Sequence, residues 1–264
     1  MNSGRLRPPS FDGDFLDDDA SIDAWAGASG PFYLPPRAVA RPNDAVAVST
    51  LVAWAAASGV PLVPRGAGSG MPGGNVGRHV VLDLSRLDRI EITGEDRIRA
   101  GAGAIAAEAR ARALRHDRDL PALPSSAPWC TIGGIVANDA AGARSFRWGP
   151  AHAWVERLDV IGVDGELRTL RRGAVADPEV FALHAHLLST LPVPLPWPEV
   201  RKNASGYAID RFLETGDPLD LWVGSEGTLG VIVAAELRTF PVPEARGVAL
   251  IGPGARAALP EVAA

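Results

Sequence analysis

The sequence predicts an α+β fold, and three observations carry that prediction. Helical periodicity is confined to separate segments, as where Val48, Leu51, Val52 and Ala55 recur at i, i+3, i+4 and i+7. Strand-like runs at 80–84, 90–92 and 97–100 follow one another with no helix between them. Asp164-Gly165 separates two more such runs, 155–163 and 166–170, as in an antiparallel hairpin. The order is therefore mixed, without the strict strand–helix alternation of a parallel sheet.

Residues 1–36 have weak periodicity. Five aspartates between Asp12 and Asp19, with Pro8-Pro9 and Pro35-Pro36, predict a loose or partner-covered extension. An ordered unit is expected over 37–243. Pro42-Asn43-Asp44 starts a helix that Gly59 stops. Residues 61–64 form a short strand running into a glycine-rich loop. After the strands comes the Gly101-Ala102-Gly103 break, then a helix over 104–115 whose Glu108 and Arg112 pair on a solvated face. Residues 121–142 form a second loop of small residues, in which Gly133-Gly134 starts a tightly packed helix through Asn138. A helix around 180–188 and a proline-rich stretch, 191–198, follow the hairpin. Arg201-Lys202-Asn203 and Gly206-Tyr207 form a polar patch. A third glycine-rich turn, Gly224-Ser225-Glu226-Gly227, runs into a strand ending near Phe240, and 244–264 is a tail. No internal repeat is present.

The chain of 264 residues is 47% hydrophobic and 22% charged, as in an ordinary globular protein. A net charge of −5 and the lack of a basic run argue against a nucleic-acid surface. Cys130 is the only cysteine, which excludes an intrachain disulfide and a cysteine-built metal cluster. No signal-peptide pattern and no apolar run of ~18 residues is seen, so a cytoplasmic chain without a spanning segment is expected.

The first loop is the most informative stretch. Pro64-Arg65-Gly66-Ala67-Gly68-Ser69-Gly70-Met71-Pro72-Gly73-Gly74 holds five glycines between strand-like runs. With few Cβ atoms to crowd them, successive N–H groups can form a concave nest for a phosphate or pyrophosphate. Arg65 adds a positive charge beside it. No lysine follows, so this is not Walker A. Gly68 to Gly73 fits G-x-G-x-x-G, but a strand rather than a helix follows, so it is not a Rossmann turn. On the loop alone, a surface turn and a cofactor cradle weigh evenly. Gly224-Ser225-Glu226-Gly227 lacks the G-x-S-x-G spacing of a hydrolase. His184 and His186 stand at i,i+2, and no H-E-x-x-H occurs, so no metal site is expected.

Taken together, the loops resemble the FAD-binding domain of the vanillyl-alcohol oxidase / p-cresol methylhydroxylase (PCMH-type) FAD-linked oxidases. Within that family the chain resembles the group that includes glycolate oxidase subunits, D-lactate dehydrogenases and D-2-hydroxyglutarate dehydrogenases. The motifs that carry the resemblance are Pro64 to Gly70, Thr131-Ile132-Gly133-Gly134, Asn138 to Gly142 with Arg147-Trp148-Gly149, Arg201-Lys202-Asn203 with Gly206-Tyr207, and Gly224 to Gly230. The resemblance implies a two-lobed fold: a small α/β lobe, and a larger lobe with a mostly antiparallel sheet and flanking helices. FAD would lie between them. Pro64, Arg65, Gly66, Ala67, Gly68, Ser69 and Gly70 would hold the pyrophosphate. Pro124, Ser125, Ser126, Thr131, Gly133, Gly134, Asn138, Ala140 and Ala141 would line the ribityl and pyrophosphate region. Glu226, Gly227 and Ile232 would reach the adenine end.

Members of the family with covalent flavin attach it to a His, Cys or Tyr; the cradle has none and Cys130 would be the only cysteine candidate, so non-covalent FAD is expected. The resemblance implies hydride transfer from a CH–OH group, such as that of a 2-hydroxy acid, to FAD. No residue is assigned as catalytic. The family's substrate-binding cap is expected to lie outside this chain, with 244–264 as its start. A partner chain or homo-oligomer would then complete the site, covering an apolar flank around Trp197 and Trp222. The alternatives are a non-catalytic flavin-binding or electron-transfer subunit, or a truncated module without function of its own.

Overall fold

The computed structural model describes residues 6–174, 177–193, 195, 200, 203–245 and 247. The first strand, β1 (Gly13–Leu16), and the first helix, α1 (Asp19–Ala26), lie in the stretch expected to be loose. β1 pairs antiparallel with β2 (Ala38–Pro42), from Gly13 opposite Pro42 to Leu16 opposite Val39. The Asp18 carboxylate caps α1 by accepting from Ser21 N at 3.0 Å. Part of the aspartate run is thus a helix start, and that reading of these residues is corrected.

α2 (Ala45–Ser58) is bounded as its sequence predicts. Asp44 Oδ1 accepts from Ala47 N at 2.8 Å, and Gly59 ends the helix in the left-handed conformation. β3 (Leu62–Arg65) and β4 (Val80–Asp83) complete a four-stranded sheet of order β1-β2-β4-β3. β4 is parallel to both β2 and β3. Its four residues are all buried, as expected of a parallel strand covered on both faces. The glycine-rich loop leaves the end of β3.

The larger lobe begins with β5 (Ile90–Thr93), β6 (Arg97–Gly101), α3 (Ala106–Leu114) and β7 (Arg118–Asp119). Next come α4 (Ile132–Ala137), α5 (Ser145–Trp148) and a 3-10 turn, Ala151–Trp154. β8 (Val155–Gly162) and β9 (Leu167–Arg171) form the hairpin over Asp164-Gly165. After them stand α6 (Pro178–Thr190), α7 (Ile209–Thr215), α8 (Leu219–Trp222), β10 (Gly230–Arg238) and β11 (Phe240–Pro241). The sheet order is β5-β6-β10-β8-β9, antiparallel at every pairing. β11 pairs separately with β7.

β10 is the central strand and serves two cores. Val231 and Val233 pack with α2 residues Val48, Leu51 and Val52 and with β4 residues Val80 and Leu82. Ile232, Ala235 and Leu237 pack on the opposite side with α3 and α4. The register shift between Ile232 and Ala234 accounts for the change in side-chain parity along the strand. The Ser49 hydroxyl donates to the Gly165 carbonyl, which ties α2 to the hairpin turn. The two lobes therefore share a buried face, and their loops meet at one end of it. Trp222 packs against the large-lobe core rather than forming a bare apolar flank. Trp197 lies outside the described residues, as does most of 244–264.

Candidate functional site

Three loops converge on a cavity of about 220 Å³ between the lobes. The cradle leaves β3 and returns to β4. Its start is anchored by Leu84 N, which donates to the Arg65 carbonyl at 2.9 Å. Asn75 closes the far side: its Nδ2 donates to the Gly70 carbonyl at 3.2 Å. Among the described residues, the backbone N–H groups of Gly66, Ala67, Gly68, Ser69 and Gly70 donate to no protein acceptor. Five consecutive donors left for solvent or a ligand are what an anion nest requires.

Arg65 departs from expectation. Its side chain is largely buried, and Nη1 donates to the carbonyls of Trp25 at 3.1 Å and Asn75 at 3.3 Å. Burial pulls its pKa below the usual guanidinium value, and nearby Asp83 opposes that shift. The guanidinium is thus a bracket inside the loop as well as a charge on the cavity wall. Gly68 has φ +70, and a Cβ there would stand 2.4 Å from Arg65 Nη2. Glycine is required at 68 by its backbone conformation and by the arginine beneath it.

The second loop is bound into the fold by its own backbone. Ile132 N donates to Ala104 O and Gly133 N to Ala102 O, both at 2.9 Å. Gly134 N donates to the capping Thr131 Oγ1 at 3.3 Å. The first N–H groups of α4 are therefore occupied, so α4 offers the cavity surface rather than donors. Small residues let it approach. A Cβ on Gly133 would stand 2.7 Å from Ala102 Cβ, and one on Gly66 would stand 2.1 Å from Thr131 Oγ1. The Gly101-Ala102-Gly103 break is where the second loop lies against the sheet.

The third loop joins the second through Gly224 N to Val136 O at 3.0 Å and Glu226 N to Ala137 O at 2.9 Å. Glu226 and Gly227 both have positive φ, at 53° and 80°. This double left-handed turn presses Gly227 against Pro64 and brings Glu226 Oε2 to Gly74. The small-lobe cradle and the large-lobe turn thereby meet at the cavity mouth.

Of the residues expected from sequence, Pro64, Arg65, Gly66, Ala67, Gly68, Ser69, Gly70, Pro124, Ser126, Thr131, Gly133, Gly134, Asn138, Ala140, Glu226, Gly227 and Ile232 all line this cavity. Ser125 and Ala141 do not: Ser125 is exposed on the outer side of its loop. Sequence reasoning missed Asn75, Leu84, Ala102 and Ile135 as lining residues, while Cys130, within the 125–131 stretch expected to line it, does so. The Gly101-Ala102-Gly103 spacing was the available signal for Ala102. Burial pushes the Cys130 thiol up in pKa, partly offset by a hydrogen bond with Ser126.

Arg201 and Lys202 lie outside the described residues. Asn203 Oδ1 accepts from Ser205 N at 3.3 Å, as in a capping turn. His184 is held by the Leu213 carbonyl at 3.0 Å and sits edge-on to Phe212. His152 pairs with buried Asp139 at 2.7 Å. Among the described residues no group of three His, Cys, Asp or Glu is placed to hold a metal.

The family model described as an FAD binding domain matches residues 36–171, just over half of the chain. The chain belongs to this FAD-binding family. The D-lactate dehydrogenase of Archaeoglobus fulgidus is 28% identical over 227 residues, spanning 83% of this chain and 43% of that protein. The D-2-hydroxyglutarate dehydrogenase of Xanthomonas citri pv. viticola is 33% identical over 224 residues, spanning 82% and 39%. The chain thus spans less than half the length of these relatives. Among solved structures, 6-hydroxy-D-nicotine oxidase from Arthrobacter nicotinovorans superposes with a TM-score of 0.63 at 21% identity, over 89% of this chain and 44% of that one. The PCMH-type fold named from the loops is the fold observed, and FAD is the cofactor it implies.

The cavity fits that cofactor. Its pyrophosphate would meet the five free N–H groups, and the glycines leave the backbone bare where it must approach. Among the described residues, no helix is long and apolar enough to cross a membrane.

Proposed function

We propose that this chain is the cofactor-binding part of an FAD-dependent oxidoreductase acting on the CH–OH group of a 2-hydroxy acid. The observation that carries the reading is the cradle: five unpaired N–H groups facing a cavity built from the loops that name the family. The names of the relatives support the substrate class, since one is a D-lactate and the other a D-2-hydroxyglutarate dehydrogenase.

When bound, FAD supplies the hydride acceptor for oxidation of the alcohol carbon. The chain's own residues bind and orient it. Gly66 to Gly70 hold the pyrophosphate by backbone donation. Pro124, Ser126, Thr131, Gly133, Gly134, Asn138 and Ala140 wall the middle of the cavity, and Glu226, Gly227 and Ile232 wall its other end. The cradle holds no His, Cys or Tyr, and burial pushes up the thiol of Cys130, the one cysteine in the lining, so in this reading the cofactor is held non-covalently.

Among the described residues, the lining offers one carboxylate, Glu226, and no histidine. In this proposal, groups that take the substrate's hydroxyl proton and hold its carboxylate come from a partner chain or another copy. A cytoplasmic location belongs to the same reading. The test is anaerobic bleaching of the FAD-loaded protein with D-lactate, glycolate and D-2-hydroxyglutarate across a range of protein concentrations. Slow bleaching of the dilute monomer, rising per flavin with concentration, is expected. Rapid bleaching of the monomer at about 10 per second would show that no second copy is needed. No bleaching at any concentration with any of the three acids would count against the substrate class.

A further inference from the structure

The segment after α1 lies against the outside of the cradle. The Trp25 carbonyl accepts from Arg65 Nη1 at 3.1 Å. Ser29 N donates to the Gly68 carbonyl at 3.0 Å. Gly30 approaches so closely that a Cβ would stand 2.2 Å from the Met71 carbonyl oxygen. The Phe32 ring covers Gly73, whose Cβ would stand 2.6 Å from it. The segment is closed on itself by the Gly27–Tyr33 bridge and by Leu34 N to Ala26 O at 2.8 Å. It is also fixed to the sheet. Trp25 Nε1 donates to Asp83 Oδ2 at 3.2 Å, and Arg41 Nε donates to the same oxygen at 3.1 Å.

We propose that residues 25–33 form a strap that positions the cradle, holding it in its binding shape before the cofactor arrives. Trp25 and Ser29 are positioning residues that act through Arg65 and Gly68. The proposal rests on the reading of the cradle as the pyrophosphate site. Glycine has more backbone freedom to lose than any other residue, so a loop of five glycines is costly to order at the moment of binding. Ordering it beforehand moves that cost out of the binding step and tightens binding. Few bonds inside the loop could do this: Asn75 Nδ2 to Gly70 O, Arg65 Nη1 to Asn75 O and Val76 N to Gly73 O. The strap adds its contacts at Arg65, Gly68, Met71 and Gly73, from the start of the loop to near its end. Arg65 is the junction, because one nitrogen bridges the strap carbonyl and the far side of the loop.

The strap contains a matched pair for the test. A methyl at Gly30 meets the Met71 backbone, whereas a methyl at Gly27 meets open space. Gly30→Ala should pry the strap from the cradle, and Gly27→Ala should not. The readouts are FAD affinity and release rate by flavin fluorescence, hydrogen exchange of residues 66–74 without FAD, and the melting temperature of the FAD-free protein. Gly30→Ala is expected to weaken FAD binding about tenfold, to speed release and to accelerate exchange in the cradle, while the melting temperature stays near that of Gly27→Ala. Ser29→Pro, which removes the N–H, should behave like Gly30→Ala, and Ser29→Ala, which keeps it, like the parent. If Gly30→Ala does not fold, the Ser29 pair decides. Parental FAD affinity in Gly30→Ala and Ser29→Pro, or equal losses in the controls, would overturn the proposal. Should the parent itself take up no FAD, the cofactor reading fails and exchange alone judges the strap. Faster cradle exchange in Gly30→Ala than in Gly27→Ala upholds it, and equal exchange overturns it.

Discussion

Gly66→Ala is the sharpest perturbation of the cavity, because the contact it makes is identifiable. The added methyl would stand 2.1 Å from Thr131 Oγ1 and 3.3 Å from Thr131 Cβ and Cγ2. Thr131 is buried, and its hydroxyl caps α4 through Gly134 N. Forcing a methyl into such a site costs about 1–3 kcal/mol. Displacing the cap costs about 1 kcal/mol more. A stability loss of about 2–4 kcal/mol is therefore expected from the urea midpoint. FAD affinity should fall as well, because the cradle and the second loop are driven apart. Thr131→Ala removes the obstructing oxygen and loses the cap, at about 1 kcal/mol. The double variant should then be little worse than Thr131→Ala alone, with a coupling of about 2–4 kcal/mol. Equilibrium unfolding of the parent, both single variants and the double variant measures this directly. Additive losses would show that the two loops do not touch at this point, and the reasoning would be wrong.

Gly68→Val combines a positive-φ position with displacement of the Arg65 guanidinium, so FAD affinity should fall by more than about tenfold, and an unchanged affinity by calorimetry would remove the loop's assignment. Acid or heat denaturation should release the flavin into the supernatant, and colour retained on the precipitate would contradict non-covalent binding. Burial pushes the Asp119 carboxyl up, but Arg110 and Arg144 at 2.7 and 3.0 Å outweigh it, and its pKa lies below the ordinary carboxylate value. The unfolded chain then takes up the proton first, so this stabilisation is complete above about pH 5 and drains away as pH falls through the folded-state value. Asp119→Asn should be less stable at neutral pH and should lose less on acidification, and parallel stability–pH curves for variant and parent would refute this.

Much of the fold was legible because its signals are local. Asp44 and Gly59 bound α2 by capping chemistry, and Asp164-Gly165 closes the hairpin by turn chemistry. The three cavity loops were legible because glycine and small residues are spent where backbone must be bare. The N-terminal strand and helix were not, since β1 is recognisable only through its pairing with β2, from Gly13 opposite Pro42 to Leu16 opposite Val39, and the aspartates around it mask its apolar positions. Arg65 illustrates a second limit. Residue type announced a charge beside an anion site, but its burial against Trp25 and Asn75 depends on contacts that no local pattern encodes. Ala102 reaches the cavity for the same reason, by the approach of a distant segment.

The central claim is that the five free N–H groups of the cradle hold the pyrophosphate of a non-covalent FAD. Calorimetric titration of the cofactor-free protein with FAD, repeated in the presence of excess ADP, tests it most directly. Saturable one-to-one binding of FAD, weakened by ADP competing for the same cradle, is the predicted result. A protein that purifies without colour and gives no binding signal with FAD would contradict the account.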